Sequence, residues 1–115
     1  MKRISLLAMV AVVAIIFSYC NTAKKAAIVP PKITYTTNIQ TLVTAHCSPC
    51  HIPDKGGNKK PLNTYASASS TIDDMIHRIE LNPGERGFMP FKHPKLSDST
   101  INVFKQWKAD GLLEN

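Results

Sequence analysis

Cys47, Cys50 and His51 stand together in the stretch HCSPCHIPDKGG, residues 46–57. The chain has only three cysteines and four histidines, so this cluster is a chemical feature rather than a product of abundance. Three chemistries use such a set: a redox disulfide, a metal site, or covalent attachment of haem. Each asks for a different scaffold, so the surrounding elements decide among them.

Apolar spacing supplies those elements. Ile39, Leu42 and Val43 lie three and four apart before Cys47, which predicts a short helix leading into the cysteines. Residues 63–70 are expected to form another short helical turn. Residues 71–81 read more clearly. Ser70 or Thr71 is placed to cap, Asp73 and Asp74 suit the positive helix end, and Ile72, Met75, Ile76 and Ile79 form a stripe. Asn82-Pro83-Gly84 stops that helix, and residues 82–96, with three prolines and two glycines, are expected to be an irregular loop. Ser97 or Asp98 opens a last helix carrying Ile101, Val103, Phe104 and Trp107, and Gly111 closes it. No alternating strand and no internal repeat is visible, so the predicted class is all-α.

That scaffold narrows the chemistry. A thioredoxin-like Cys-x-x-Cys sits at a strand-to-helix junction, and no strand is predicted here. Structural zinc commonly takes four ligands from paired motifs, whereas His46, His77 and His93 are scattered around a single cysteine pair. Cys-x-x-Cys-His is the attachment signature of c-type haem, with thioethers at Cys47 and Cys50 and His51 as iron ligand. Cys47 and His51 are one helical turn apart, so sulfur and imidazole can address one macrocycle. A backbone carbonyl at Pro53 or Pro61 is the expected partner for the second His51 nitrogen.

The N-terminus bears on the compartment. Lys2 and Arg3 precede residues 4–17, in which Ser5 is the only polar residue, the plan of a secretory signal. The run is too short to cross a bilayer comfortably. Residues 1–19 are therefore expected to be a signal peptide and the protein to be exported. If Cys47 and Cys50 are used together, Cys20 is a surplus thiol at the signal's end. It resembles the lipidated cysteine of bacterial lipoproteins, although Tyr19 departs from the small residue usual before it. Ordinary cleavage nearby, with Cys20 lost or left free, is the alternative. Residues 20–34 are expected to be a tether spanning about 20 Å as a flexible coil, with the domain at residues 35–115.

Charge excludes little else. Of 14 basic and 8 acidic side chains, the signal removes only Lys2 and Arg3, leaving about +4. The excess is scattered and does not make a nucleic-acid footprint. Lys59-Lys60 reads as solvated surface, with an acidic partner the minor alternative.

With these residues in view, the chain resembles the small mono-haem class I cytochromes c. The resemblance covers roughly residues 35–113 and rests on CSPCH, supported by the preceding helix, the loop GFMPF (87–91) and the closing helix LSDSTINVFKQWKADGL. The lead-in YTTNIQTLVTAHCSPCH and the lipoprotein-like start look most like exported cytochromes of the Bacteroidetes type. The resemblance implies that the first and last helices pack together, with Ile39 or Val43 against Phe104 or Trp107. It also implies a distal methionine ligand in a proline-containing loop. Met89, followed by Pro90 and 38 residues beyond His51, fits that pattern. Phe88 and Phe91 are expected to shield its sulfur, while Met75 on the helical stripe reads as core filling. His77 and His93 read as surface residues, and Arg78 and Arg86 as solvent-facing charges with propionate pairing the alternative.

Two axial ligands leave iron no vacant position, so the implied function is single-electron transfer and not catalysis. The carrier would sit on the periplasmic side of a membrane, serving redox partner proteins or a respiratory oxidoreductase. A five-coordinate haem that binds gases or reduces peroxide is one rival. A haem-free redox or metal lipoprotein is the other.

Overall fold

The computed structural model describes residues 30–115, of which Pro31–Asn115 form one compact unit. The expected signal peptide, Cys20 and most of the expected tether lie outside the described residues. The unit is all-α. A π-helical turn, Tyr35–Ile39, runs into α1 (Gln40–Cys47), and α2 (Tyr65–Ser70), α3 (Ile72–Glu80) and α4 (Asp98–Ala109) follow. No strand occurs among the described residues. No described helix is long and apolar enough to cross a membrane.

Local chemistry explains where the helices start. Thr34 accepts a bond from the Thr37 amide at the entry turn, Thr64 forms a capping box with Ser67 before α2, and Ser97 accepts from the Thr100 amide before α4. Helix α3 departs from this rule. Thr71 occupies its N-cap position, but its hydroxyl donates back to the Ser67 carbonyl at 2.7 Å and so serves the end of α2. Asp73 and Asp74 still lie in the first turn of α3.

The predicted stripes face inward. Ile72, Met75 and Ile79 of α3 are buried beside Ile101, Phe104 and Trp107 of α4, and Ile39 and Val43 complete the same core. Met75 is core filling, as its position on the stripe predicts. Helix α4 packs on α3 and on the Tyr35–Ile39 turn, so the first and last helical segments are in contact.

An aromatic trio closes that joint. The ring centroids of Tyr35, Tyr65 and Trp107 lie 5.9–6.4 Å from one another. Trp107 is fully buried and donates its indole N–H to the Leu113 carbonyl at 2.8 Å. Burying an aromatic side chain of its size is worth about 4 kcal/mol. Gly111 (φ 93°) and Leu112 (φ 57°) turn the chain back after α4. The tail then accepts bonds from the Tyr35 and Thr36 amides and from the Tyr65 hydroxyl. Ile33 donates its amide to Asp110 at 2.8 Å, so ordered contacts begin just ahead of Tyr35.

Candidate functional site

The Cys47–His51 segment continues directly from α1, and a return loop holds it from behind. Four bonds tie that loop to the motif and to Ile52 directly after it. The Gly57 amide donates to the Ile52 carbonyl, Lys59 to Cys50 and Leu62 to His51, each at 3.0 Å. The fourth involves the imidazole: Nδ1 of His51 lies 2.7 Å from the Lys60 carbonyl. A carbonyl only accepts, so Nδ1 is the donor, and in the neutral tautomer this selects Nε2 is the nitrogen left for a ligand. The acceptor is thus Lys60 rather than Pro53 or Pro61. Pro61 is its immediate neighbour in the chain.

The loop can lie this close only because residue 57 is glycine. A Cβ there would stand 2.3 Å from the Pro49 oxygen and 2.6 Å from the Cys50 oxygen. Both contacts are with backbone, which cannot swing aside as a side chain can. Gly57 therefore sets the depth at which the loop seats against the two cysteines.

The cysteines differ in setting. Both are free thiols; Cys50 is exposed and Cys47 is partly buried against the core. Burial pushes the Cys47 thiol up to about 11, so it is protonated at neutral pH. Such a thiol is a poor nucleophile for disulfide exchange. Among the described residues, no three of His, Cys, Asp or Glu come together in a group able to hold a metal ion. His77 and His93 are both exposed, as predicted, and His46 is half-buried.

Met89 is held in place by α3. Its amide donates to the Arg78 carbonyl at 3.1 Å, and the Arg78 guanidinium reaches the Gly87 carbonyl at 3.4 Å. The same guanidinium pairs with Asp74 at 2.7 Å, and this bond holds the Asp74 carboxyl below its usual range. Arg78 is therefore a clamp on the Gly87–Met89 turn, tied to protein partners and not simply facing solvent. Gly87 (φ 96°) supplies the left-handed conformation that the turn requires. Arg86 is exposed.

Met89 is half-buried and packs against the shared core, as does Cys47. Phe88 is buried, but Phe91 is 65% exposed. Only one of the two expected aromatic shields therefore lies in the interior. A groove of about 420 Å³ joins the two loops at the surface, because Ser48, between the cysteines, and Pro90, after Met89, both line it.

The residues present fit a c-type haem. His51 has one nitrogen committed and one available, two thiols precede it at attachment spacing, and a soft thioether stands in a clamped loop. Lys60, Gly57 and the Arg78 clamp escaped sequence reading. The glycines were visible as loop residues, but nothing in the chain's pattern indicated which backbone they would meet. No protein family model, curated protein or solved structure matches the chain.

Proposed function

We propose that this chain is an exported single-electron carrier. In this reading Cys47 and Cys50 hold one haem through thioethers, and His51 and Met89 are its axial ligands. Cys20, if acylated, tethers the domain to the periplasmic side of a membrane within reach of its redox partners. The observation that carries the reading is the 2.7 Å contact from His51 Nδ1 to the Lys60 carbonyl, directly behind a Cys-x-x-Cys pair. It presets the tautomer and ring direction that a metal-ligating histidine needs.

Bound haem would supply an iron that takes up and releases one electron. The chain's own groups do the rest. The Lys60 carbonyl raises the basicity of the imidazole it accepts from. Met89 offers a soft sulfur, which favours the ferrous state relative to a second histidine. Buried Phe88 keeps water from one side of the loop. Core packing behind Met89 and the bonds behind His51 limit ligand movement, and small movement suits fast electron exchange.

The haem-free alternatives gain less support. Burial raises the Cys47 thiol, which leaves only exposed Cys50 as the attacking thiol of a redox dithiol. A metal site calls for more ligands than any described cluster provides. One observation favours the five-coordinate rival: exposed Phe91 leaves Met89 shielded on one side only.

The deciding experiment is maturation of the full chain in an export-competent host, then acid-acetone extraction and denaturing electrophoresis. Haem is expected to stay with the polypeptide, and Cys47→Ala with Cys50→Ala to abolish attachment. Complete loss of haem from the wild-type chain would end the c-type reading.

A further inference from the structure

Phe91 is the one large hydrophobic side chain exposed among the described residues. It does not stand alone. Lys92 adopts a left-handed backbone (φ 61°) and places its ammonium 5.4 Å from the Phe91 ring centroid. Glycine would meet that φ without strain but would leave the ring uncapped. Aromatic rings are enriched at protein interfaces, and Lys92 caps the face of this one.

The stretch of chain that carries it is basic. Between Glu85 and Asp98 the chain carries Arg86, Lys92, His93 and Lys95 and no carboxylate. The described ion pairs lie elsewhere: Arg78 with Asp74, Lys105 with Glu80 and Lys108 with Asp73. Lys95 donates to the Glu80 carbonyl and the Asn82 side chain and lies near the Glu80 carboxylate, so the charge left free beside the ring is that of Lys92. Beside the knuckle lies the groove of about 420 Å³, lined by His46, Ser48, Pro90, His93, Leu96 and Thr100. Cys47, Cys50, His51 and Met89 do not line it.

We infer that the Phe91–Lys92 knuckle and this groove form a docking surface for an acidic protein. Phe91 enters an apolar socket of the partner, an apolar side chain of the partner fills the groove, and carboxylates around them meet Lys92 and His93. Concavity selects a protein over a bilayer, because a flat anionic membrane has nothing to place in the groove. The inference goes beyond the electron-carrier reading and does not depend on it.

A synthetic peptide with two aspartates on each side of a single leucine serves as probe. It is titrated into the mature chain at low salt, with backbone amide resonances as readout. Saturable shifts confined to residues 90–96 and the facing Ser48 are expected. Phe91→Ala and Lys92→Glu should each weaken binding about tenfold. Lys55→Glu, which changes net charge equally on another turn, should leave it within about twofold. Absence of saturable shifts overturns the inference, as does an equal loss in Lys55→Glu. Anionic vesicles that capture the chain through Phe91 while the peptide fails would replace the protein partner with a membrane. The readout needs no haem signal, so wild-type chain that fails to retain haem after competent maturation yet still binds the peptide refutes the carrier reading alone.

Discussion

Replacing Gly57 with alanine tests the seat of His51 directly. The new Cβ would meet the Pro49 and Cys50 oxygens at 2.3 and 2.6 Å. Relief requires the loop to retreat by about 1 Å, which carries bonds that start near 3.0 Å past hydrogen-bonding range. The two bonds nearest the clash are Gly57 to Ile52 and Lys59 to Cys50, and His51 to Lys60 follows with the same loop. Two or three lost bonds cost about 1 kcal/mol each. Reduced freedom of the unfolded chain returns about 0.5 kcal/mol. The net loss is about 2 kcal/mol, or roughly 10 °C in Tm for a domain of this size. Thermal melts followed by circular dichroism measure it. A second readout separates seat from stability: the His51 ring protons in the NMR spectrum should show loss of the fixed Nδ1–H tautomer. Gly56→Ala is the control. Gly56 has φ 81° with nothing within 4 Å of its would-be Cβ, so the substitution adds backbone strain without a clash. It should cost about 1 kcal/mol and leave His51 undisturbed. A Gly57→Ala protein that melts within 2 °C or so of wild type, its His51 tautomer intact, would refute the reasoning.

Met89→Ala should leave haem attached, lower its potential and let carbon monoxide bind the ferrous protein readily. Met75→Leu should alter none of these and cost under about 1.5 kcal/mol. A wild-type protein that lacks the far-red sulfur-to-iron band and already binds carbon monoxide fast would transfer the assignment to the five-coordinate rival. Trp107→Ala removes a fully buried ring and an indole bond, and should cost about 4 kcal/mol in denaturant melts. The Ile33 amide and then Gln106 hold the Asp110 carboxyl below its usual range. Its folded pKa is depressed, so its contribution is complete above the ordinary carboxylate pKa of about 4 and lost as pH falls through the folded value. Asp110→Asn should therefore flatten the acid limb of the stability curve below about pH 4, and an unchanged limb would remove Asp110 from the account. Mass spectrometry of the mature N-terminus checks Cys20: a diacylglyceryl adduct is expected, and an unmodified terminus downstream would make the carrier soluble.

Much of the scaffold was legible because its information lies in side-chain type and period. The α3 stripe of Ile72, Met75 and Ile79 and the α4 stripe of Ile101, Phe104 and Trp107 are buried as their spacing predicts. The Ser97 cap and the Gly111 stop are also where local chemistry puts them. The Thr71 hydroxyl was misread because two helices compete for one side chain. Both the end of α2 and the start of α3 are within its reach, and local sequence does not rank them. Phe91 was misread for another reason. Its place beside Met89 suggested cover, yet the left-handed turn at Lys92 leaves the ring facing water.

The positioning of the candidate ligands was illegible on a deeper ground. His51 is oriented by the Lys60 carbonyl and the Met89 loop by the Arg78 carbonyl, and a carbonyl is the same group in every residue. No choice of side chain at 60 or 78 announces such a bond. What the sequence does carry is the permission for it: Gly57, where backbone must approach backbone, and Gly87, where the chain must turn left-handed. This division has a consequence for mutagenesis. Side-chain substitution at Lys60 should leave the imidazole bond intact, because the acceptor oxygen remains, whereas substitution at Gly57 should break it from three residues away. A Lys60→Ala variant with an unchanged His51 tautomer, beside a Gly57→Ala variant with a lost one, is the expected pair. The reverse order would mean that the lysine side chain, and not the path of the backbone, holds the histidine in place.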